Sequence, residues 1–218
     1  MTFAQNEYRT IFISDMHLGS IHCKAQRLLD FLKTHNAPII YLVGDIIDHP
    51  VHLMKLPKLH WEIIRELLAK SFNGTKLIYI PGNHDSMFRH YVGQYGNVTI
   101  ALRSTYVTKV GAVLLITHGD ETDMFGLRGL LTLLVYFEKY APMPLWELVR
   151  KLMRGHIRRH TAAFERKMRH VGRKYSGVVC GHIHCPVTSN GYMNCGDFVH
   201  HCTALAETKE GEFQLLKG

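Results

Sequence analysis

An α/β fold layered around a central sheet is what this sequence predicts. Three observations lead there. Short apolar runs of strand length recur along the chain, helix-period patterns fall between them, and 218 residues at 46% hydrophobic content suit one globular domain with a full core. Residues 10–13 are the first apolar run and read as a buried strand. Residues 24–35 follow as a helix, with Leu28, Leu29, Phe31 and Leu32 on one side. Residues 38–43 form a second strand. Residues 61–70 form a second helix, on which Trp61, Ile64, Leu67 and Leu68 recur at helical spacing. Residues 76–80 are a third strand. A hairpin is expected around residues 98–110, then a strand at 112–117. Short strands return at residues 177–180, 192–194, 203–206 and 213–216.

Between residues 124 and 174 the pattern is helical without strands: 127–140, a break at Pro142-Met143-Pro144, then residues 145 onward. Because it lies between strands of the main pattern, this stretch is expected to be a helical cap inserted into a single domain of residues 1–218. The chain shows no internal repeat, no signal-peptide pattern and no apolar run approaching the roughly 20 residues that span a bilayer, so a cytoplasmic protein is expected. Five cysteines with no CxxC pair indicate neither a disulfide framework nor a zinc knuckle. The net charge of +8 is concentrated: residues 150–174 carry ten Lys/Arg against Glu165 alone, which leaves 16 Lys/Arg against 17 Asp/Glu elsewhere. An anionic partner belongs at that segment, if anywhere.

The polar residues fall at the ends of the apolar runs. Asp15 and His17 follow the first strand in SDMHLG, Asp45 and Asp48 the second in GDIID, and Asn83, His84 and Asp85 the third in GNHD. His118 follows a later strand in THGD, and His182 and His184 another in GHIHCP. One such residue is an ordinary turn group. Five strand ends in succession predict a shared crevice, because ligands collect at strand ends in open α/β sheets. Carboxylates and imidazoles gathered there repel or lose solvation unless a cation joins them, and divalent metals take this mixture of oxygen and nitrogen donors.

Taken together, DMH, GDIID, GNHD, HGD and GHIH, in that order from Asp15 to His184, resemble the calcineurin-like metallophosphoesterase superfamily. The resemblance implies a four-layer αββα sandwich, with the inserted helical cap, around two divalent metal ions, Mn foremost, with Fe, Zn or Co as alternatives. Carried over by position, Asp15, His17 and His184 would hold the first metal, Asn83, His118 and His182 the second, and Asp45 would bridge them. Two cations about 3.5 to 4 Å apart neutralise a phosphate ester, generate a hydroxide and clamp attacking and leaving oxygens in line. His84 is then the catalytic imidazole, donating a hydrogen bond to a phosphoryl oxygen or a proton to the leaving group. Asp48 and Asp85 read as carboxylates that orient ligand histidines.

Within that superfamily the chain is similar to the UDP-2,3-diacylglucosamine pyrophosphohydrolase group, on HGDETD, the helical insert before GHIHCP and the tail NCGDFVHHCTALAE. This implies a lipid-linked nucleotide substrate cleaved to UMP and 2,3-diacylglucosamine 1-phosphate, with work at the inner face of the plasma membrane. Characterised members of that group carry Arg where this chain has His84, so a general phosphodiesterase or phosphatase is the alternative, and a catalytically quiet scaffold a more distant one. Asp123, Arg158, Arg159 and Arg166 are the candidate substrate-binding residues. Arg158, Arg159, Arg166 and Arg169 share a helix-compatible face that suits an anionic membrane or substrate phosphates. Nucleic acid is not expected, since the aromatic interleaving of single-strand binders is missing.

Overall fold

The structure, a computed structural model, describes residues 8–48, 56–122 and 143–218. Among these residues twelve strands and three α-helices alternate. The first sheet holds β1 (Tyr8–Ile13), β2 (Ile39–Val43), β3 (Lys76–Ile80), β4 (Gly93–Tyr95), β5 (Val98–Ile100), β11 (Thr203–Thr208) and β12 (Phe213–Lys217), in the order β12-β11-β1-β2-β3-β5-β4. The second holds β6 (Ser104–Val107), β7 (Val113–Ile116), β8 (Gly177–Cys180), β9 (Val187–Ser189) and β10 (Tyr192–Asn194), in the order β6-β7-β8-β10-β9. Each sheet has a parallel centre, β1-β2-β3-β5 in one and β7-β8-β10 in the other, with antiparallel edges.

The two-residue period of a strand explains the layers. Ile11 and Ile13, Ile40 and Leu42, and Leu77 and Tyr79 face outward from the first sheet and pack with α1 (Ala25–Thr34) and α2 (Lys58–Phe72). Their alternates Phe12, Tyr41, Val43 and Ile80 face the second sheet and meet Tyr106, Leu114, Ile116, Val179 and Met193. On the far side of the second sheet, Leu115, Val178, Cys180 and Tyr192 pack against Phe164 and Met168 of α3 (Met143–Val171). Strands covered on both faces read as continuous apolar runs, and this is why the short runs were legible. The result is the expected four-layer αββα sandwich.

The C-terminal half of α3 is therefore a layer of the sandwich, and Pro144, read as part of a break, sits in the first turn of α3, where a missing N–H costs nothing. Residues 124–142 of the expected cap, including the helix at 127–140, lie outside the described residues. Two further readings are corrected. No hairpin joins residues 98–110: β5 pairs with β3 and β4 in the first sheet, the chain crosses at Ala101–Arg103, and the hairpin is β6–β7, closed at Thr108–Gly111. On α2 the buried face is His60, Ile63 and Leu67, while Trp61 and Leu68 are about half exposed at 49% and 56%. Burial there follows contact with the first sheet and α1, not hydrophobicity alone.

Candidate metal centre

Parallel strands aim the same way, so the loops after β1, β2, β3, β7 and β8 leave the two sheets at one end. They are laced together by their own backbone. Asp15 N–H donates to Gly44 O at 3.0 Å, His17 N–H to Asp45 O at 2.9 Å, and His182 N–H to the Asp15 carboxylate at 2.9 Å, the last crossing between sheets. Six non-glycine residues among those described have positive φ, and five of them are Asp15, His17, Asp45, His182 and His184. Backbone strain of this kind persists only where the surroundings over-determine it, and it concentrates at functional sites.

The side chains converge as three groups. Asp15, His17 and His184 form one, Asp45, His118 and His182 another, and His17, Asp48 and His84 a third that shares His17 with the first, with potential ligand atoms within 4.8 Å of one another in each. Asp45 Oδ2 stands between the first two, 4.0 Å from His17 Nε2 and 3.4 Å from His118 Nε2. Asn83 comes from the loop after β3. Three buried polar atoms at this crevice have no hydrogen-bond partner: Asp15 Oδ1, Asn83 Oδ1 and His118 Nε2. Such atoms are normally paired, and all three are electron-pair donors on residues singled out as ligands, so the donor set fits divalent cations.

The electrostatics agree. Burial alone would raise the Asp45 carboxyl, yet His118, His84 and His17 hold it well below the usual carboxylate range. Burial would also raise Asp15, and the His184 imidazole outweighs it in the same sense. Burial would lower His118, but Asp45 pushes it up to about 10. The crevice is a negative field that favours positive charge on His118 and His184, and a metal ion answers the same field. His118 Nδ1 donates to Val43 O at 2.9 Å, which aims Nε2 into the crevice.

His84 lies at the rim. Its Nδ1 is 2.7 Å from Asp48 Oδ1, its Nε2 is 3.9 Å from Asp45 Oδ2, and its N–H donates to Asp45 Oδ1 at 2.8 Å. Asp48 Oδ1 also lies 3.4 Å from His17 Nδ1, so one carboxylate faces both rings. Asp85 does not orient a histidine. Its Oδ2 accepts the N–H of Ile46 at 2.7 Å and of Ile47 at 3.3 Å and the Tyr79 hydroxyl, and its Oδ1 accepts the N–H of Gly82 at 2.6 Å. It is fully buried beneath the loops, where backbone donors saturate it.

Glycine before the amide has a plain cause. A Cβ on Gly82 would lie 2.3 Å from Asp45 Oδ1, 2.6 Å from Asp45 N and 2.8 Å from His118 Cδ2, so only hydrogen fits. Sequence reasoning missed two elements. Arg89 binds both Asp120 oxygens at 3.0 and 2.8 Å and Pro81 O at 3.2 Å, tying the GNHD loop to the HGD loop. Asp197, after β10, faces His184 Nδ1 at 3.9 Å. The signal for it was present: Gly196-Asp197 after an apolar strand has the form of Gly44-Asp45.

Asp123 lies outside the described residues. Arg158 and Arg159 are exposed on α3, and Arg166 lines a shallow hollow of about 470 Å³ with Thr122, Ala163, Lys167, His170 and Val171. These arginines take no part in the contacts just described. Arg169, expected on the same anion-facing side, instead binds Glu165, Asn190 O and Ser189 Oγ and stacks over Tyr192. No helix among the described residues is long and apolar enough to cross a membrane.

Two stacked sheets between helical layers, with carboxylate, amide and imidazole groups gathered at their strand ends, define a metallophosphoesterase scaffold. The Calcineurin-like phosphoesterase family model matches residues 8–186, and the chain belongs to that family. Among curated proteins it is similar to the UDP-2,3-diacylglucosamine hydrolase of Cellvibrio japonicus, 28% identical over 127 residues, covering 55% of this chain and 53% of that protein. The enzyme of the same name from Neisseria gonorrhoeae is 28% identical over 113 residues, covering 50% and 47%, and that of Pectobacterium carotovorum 30% over 115 residues, covering 51% and 48%. The chain thus spans about half the length of the curated relatives it matches.

Proposed function

We propose that this protein is a dinuclear-metal phosphohydrolase that cleaves a phosphoester or pyrophosphate bond. The observation that carries the reading is the two adjoining ligand groups, with Asp45 Oδ2 of one 4.0 Å from His17 Nε2 of the other, and three buried electron-pair donors on the candidate ligands that make no hydrogen bond. Asp15, His17 and His184 would hold one divalent ion, Asn83, His118 and His182 the other, with Asp45 common to both. Ions bound there supply charge neutralisation at the phosphoryl group and an activated water. The chain's own part is placement. Asp48 accepts the Nδ1–H of His84, which supports a doubly protonated ring, and in that form Nε2–H would donate to a phosphoryl oxygen or to the leaving group. Asp45 holds the backbone of His84 in reach through its N–H.

The finer reading is a lipid-linked nucleotide such as UDP-2,3-diacylglucosamine, supported by the names of the relatives, with the basic stretch of residues 150–174 resting on an anionic membrane near the exposed Arg158, Arg159 and Arg166. The test is turnover by Mn-loaded protein of UDP-2,3-diacylglucosamine in detergent, of UDP-sugars without acyl chains and of bis-p-nitrophenyl phosphate. Preference for the diacylated substrate with release of UMP supports the finer reading; cleavage of the simple diester alone removes it and keeps the dinuclear one. Asp45→Ala should lose both metal and activity, and His84→Ala activity only. Wild-type turnover by either variant would refute the assignment.

A further inference from the structure

The loop after β10 is built onto one of the two ligand groups. Asp197 is fully buried, and its Oδ1 accepts the N–H of Val199 at 2.7 Å, of His201 at 3.2 Å and of His200. Its Oδ2 is 2.7 Å from His201 Nδ1 and 3.9 Å from His184 Nδ1. The His184 ring turns its other nitrogen inward: Nε2 is 3.2 Å from Asp15 Oδ1 and 3.4 Å from His17 Nε2. A cation taken up at Nε2 leaves the ring proton on Nδ1, the nitrogen that faces Asp197. The neighbouring Phe198 donates its N–H to Asp15 O at 3.1 Å, and its carbonyl accepts Lys24 N–H at 2.8 Å. One short segment therefore touches both Asp15 and His184. In the other group His118 has a neutral acceptor behind it, since its Nδ1 donates to the carbonyl of Val43.

Resting on the dinuclear reading, we propose that Asp197 is a positioning residue for the Asp15, His17 and His184 site, where its carboxylate fixes the ring orientation and ring proton of His184. Carboxylates behind ligand histidines typically change metal affinity about 10- to 100-fold. The effect belongs to one site. In an Asn83→Ala background, which disables the other site, Asp197→Asn should weaken Mn binding by about 10- to 100-fold. In a His17→Ala background, which disables the first site and spares the Asp15 carboxylate that holds His182, the same change should shift it by less than about threefold, a difference that a general loss of structure does not produce.

Calorimetric Mn titration of the full chain, with thermal melts of the metal-free proteins, reads both. His201→Ala is the second variant: it frees Oδ2 from its other partner while leaving the pairing with His184, so affinity in the Asn83→Ala background should hold or rise. Equal loss in both backgrounds, no loss in the Asn83→Ala background, or an equally large loss from His201→Ala would overturn the proposal and make Asp197 a loop brace. Failure of the wild-type chain to bind Mn at all would instead strike the dinuclear reading beneath it.

Discussion

Replacing Asp85 by alanine tests whether the crevice is held from below by one buried carboxylate. Asp85 accepts three backbone N–H groups and the Tyr79 hydroxyl, all enclosed. Alanine leaves those donors without an acceptor, and each unmet buried donor costs about 1–3 kcal/mol. The Ile47 bond is long at 3.3 Å and shares an oxygen, and the Tyr79 hydroxyl can turn, so Ile46 and Gly82 account for most of the loss. Removing a carboxylate whose pKa is raised by burial and by the nearby Asp45 charge returns part of it. The net expectation is about 3–5 kcal/mol, a large share of the 5–15 kcal/mol typical of a domain. Asp85→Asn keeps one acceptor oxygen and should cost less. Urea unfolding of metal-free protein at neutral pH measures both, and Mn titration should show weakened binding, because the freed N–H groups flank Asp45 and Asn83. An alanine variant within about 1 kcal/mol of wild type would refute this reasoning.

Gly82→Ala should destabilise the chain by about 1–3 kcal/mol and lower its bound Mn, because the new methyl displaces Asp45; metal analysis after dialysis alongside a thermal melt checks it. Asp48→Ala should reduce kcat on a phosphodiester by about 10²- to 10³-fold with little change in KM, since it removes the partner of His84 Nδ1, and a rate equal to wild type would exclude that role. His60 accepts the Gly19 N–H at Nδ1 (2.8 Å), and burial holds its pKa below the ordinary imidazole value. The unfolded chain therefore binds the extra proton first. The stabilisation is present in full above about pH 6.5 and is lost as pH falls through the depressed value. His60→Ala should cost about 1 kcal/mol at neutral pH and show a shallower acid-side loss in melts between pH 7 and 5. Identical slopes for the two proteins would be evidence against it.

The candidate ligands that the structure brings together were legible because each follows an apolar strand, with a glycine close by, and local sequence carries that signal. What the sequence could not carry is pairing at a distance. β5 pairs locally with β4 before it and at a distance with β3, some twenty residues earlier, and not with the segment that follows it. Trp61 and Leu68 carry the apolar signal of α2, yet the face that packs includes a histidine because Gly19, on a remote loop, offers it an N–H. Asp85 lies beside Asn83 and His84 in sequence but turns beneath them to Ile46, Ile47 and Gly82, a choice set by how the first and second loops stack. Asp197 had the right local form and was passed over, since its meaning depends on His184 standing opposite.

The strain pattern says why these loops need so many fastenings. A non-glycine residue in the left-handed region costs about 1–2 kcal/mol, and five candidate ligands sit there, whereas glycine at any of them would relax the backbone and remove the donor. Side chain and backbone thus make opposing demands at the same positions. The chain meets both by placing glycine at the adjoining residue, as in Gly44-Asp45 and Gly181-His182, and by tying the strained residues to each other. Asp15 N–H binds Gly44 O, His17 N–H binds Asp45 O, and His182 N–H binds the Asp15 carboxylate. Each loop is held in its costly conformation by the next, across both sheets. The geometry of the candidate ligands therefore belongs to the fold as a whole and not to any one loop.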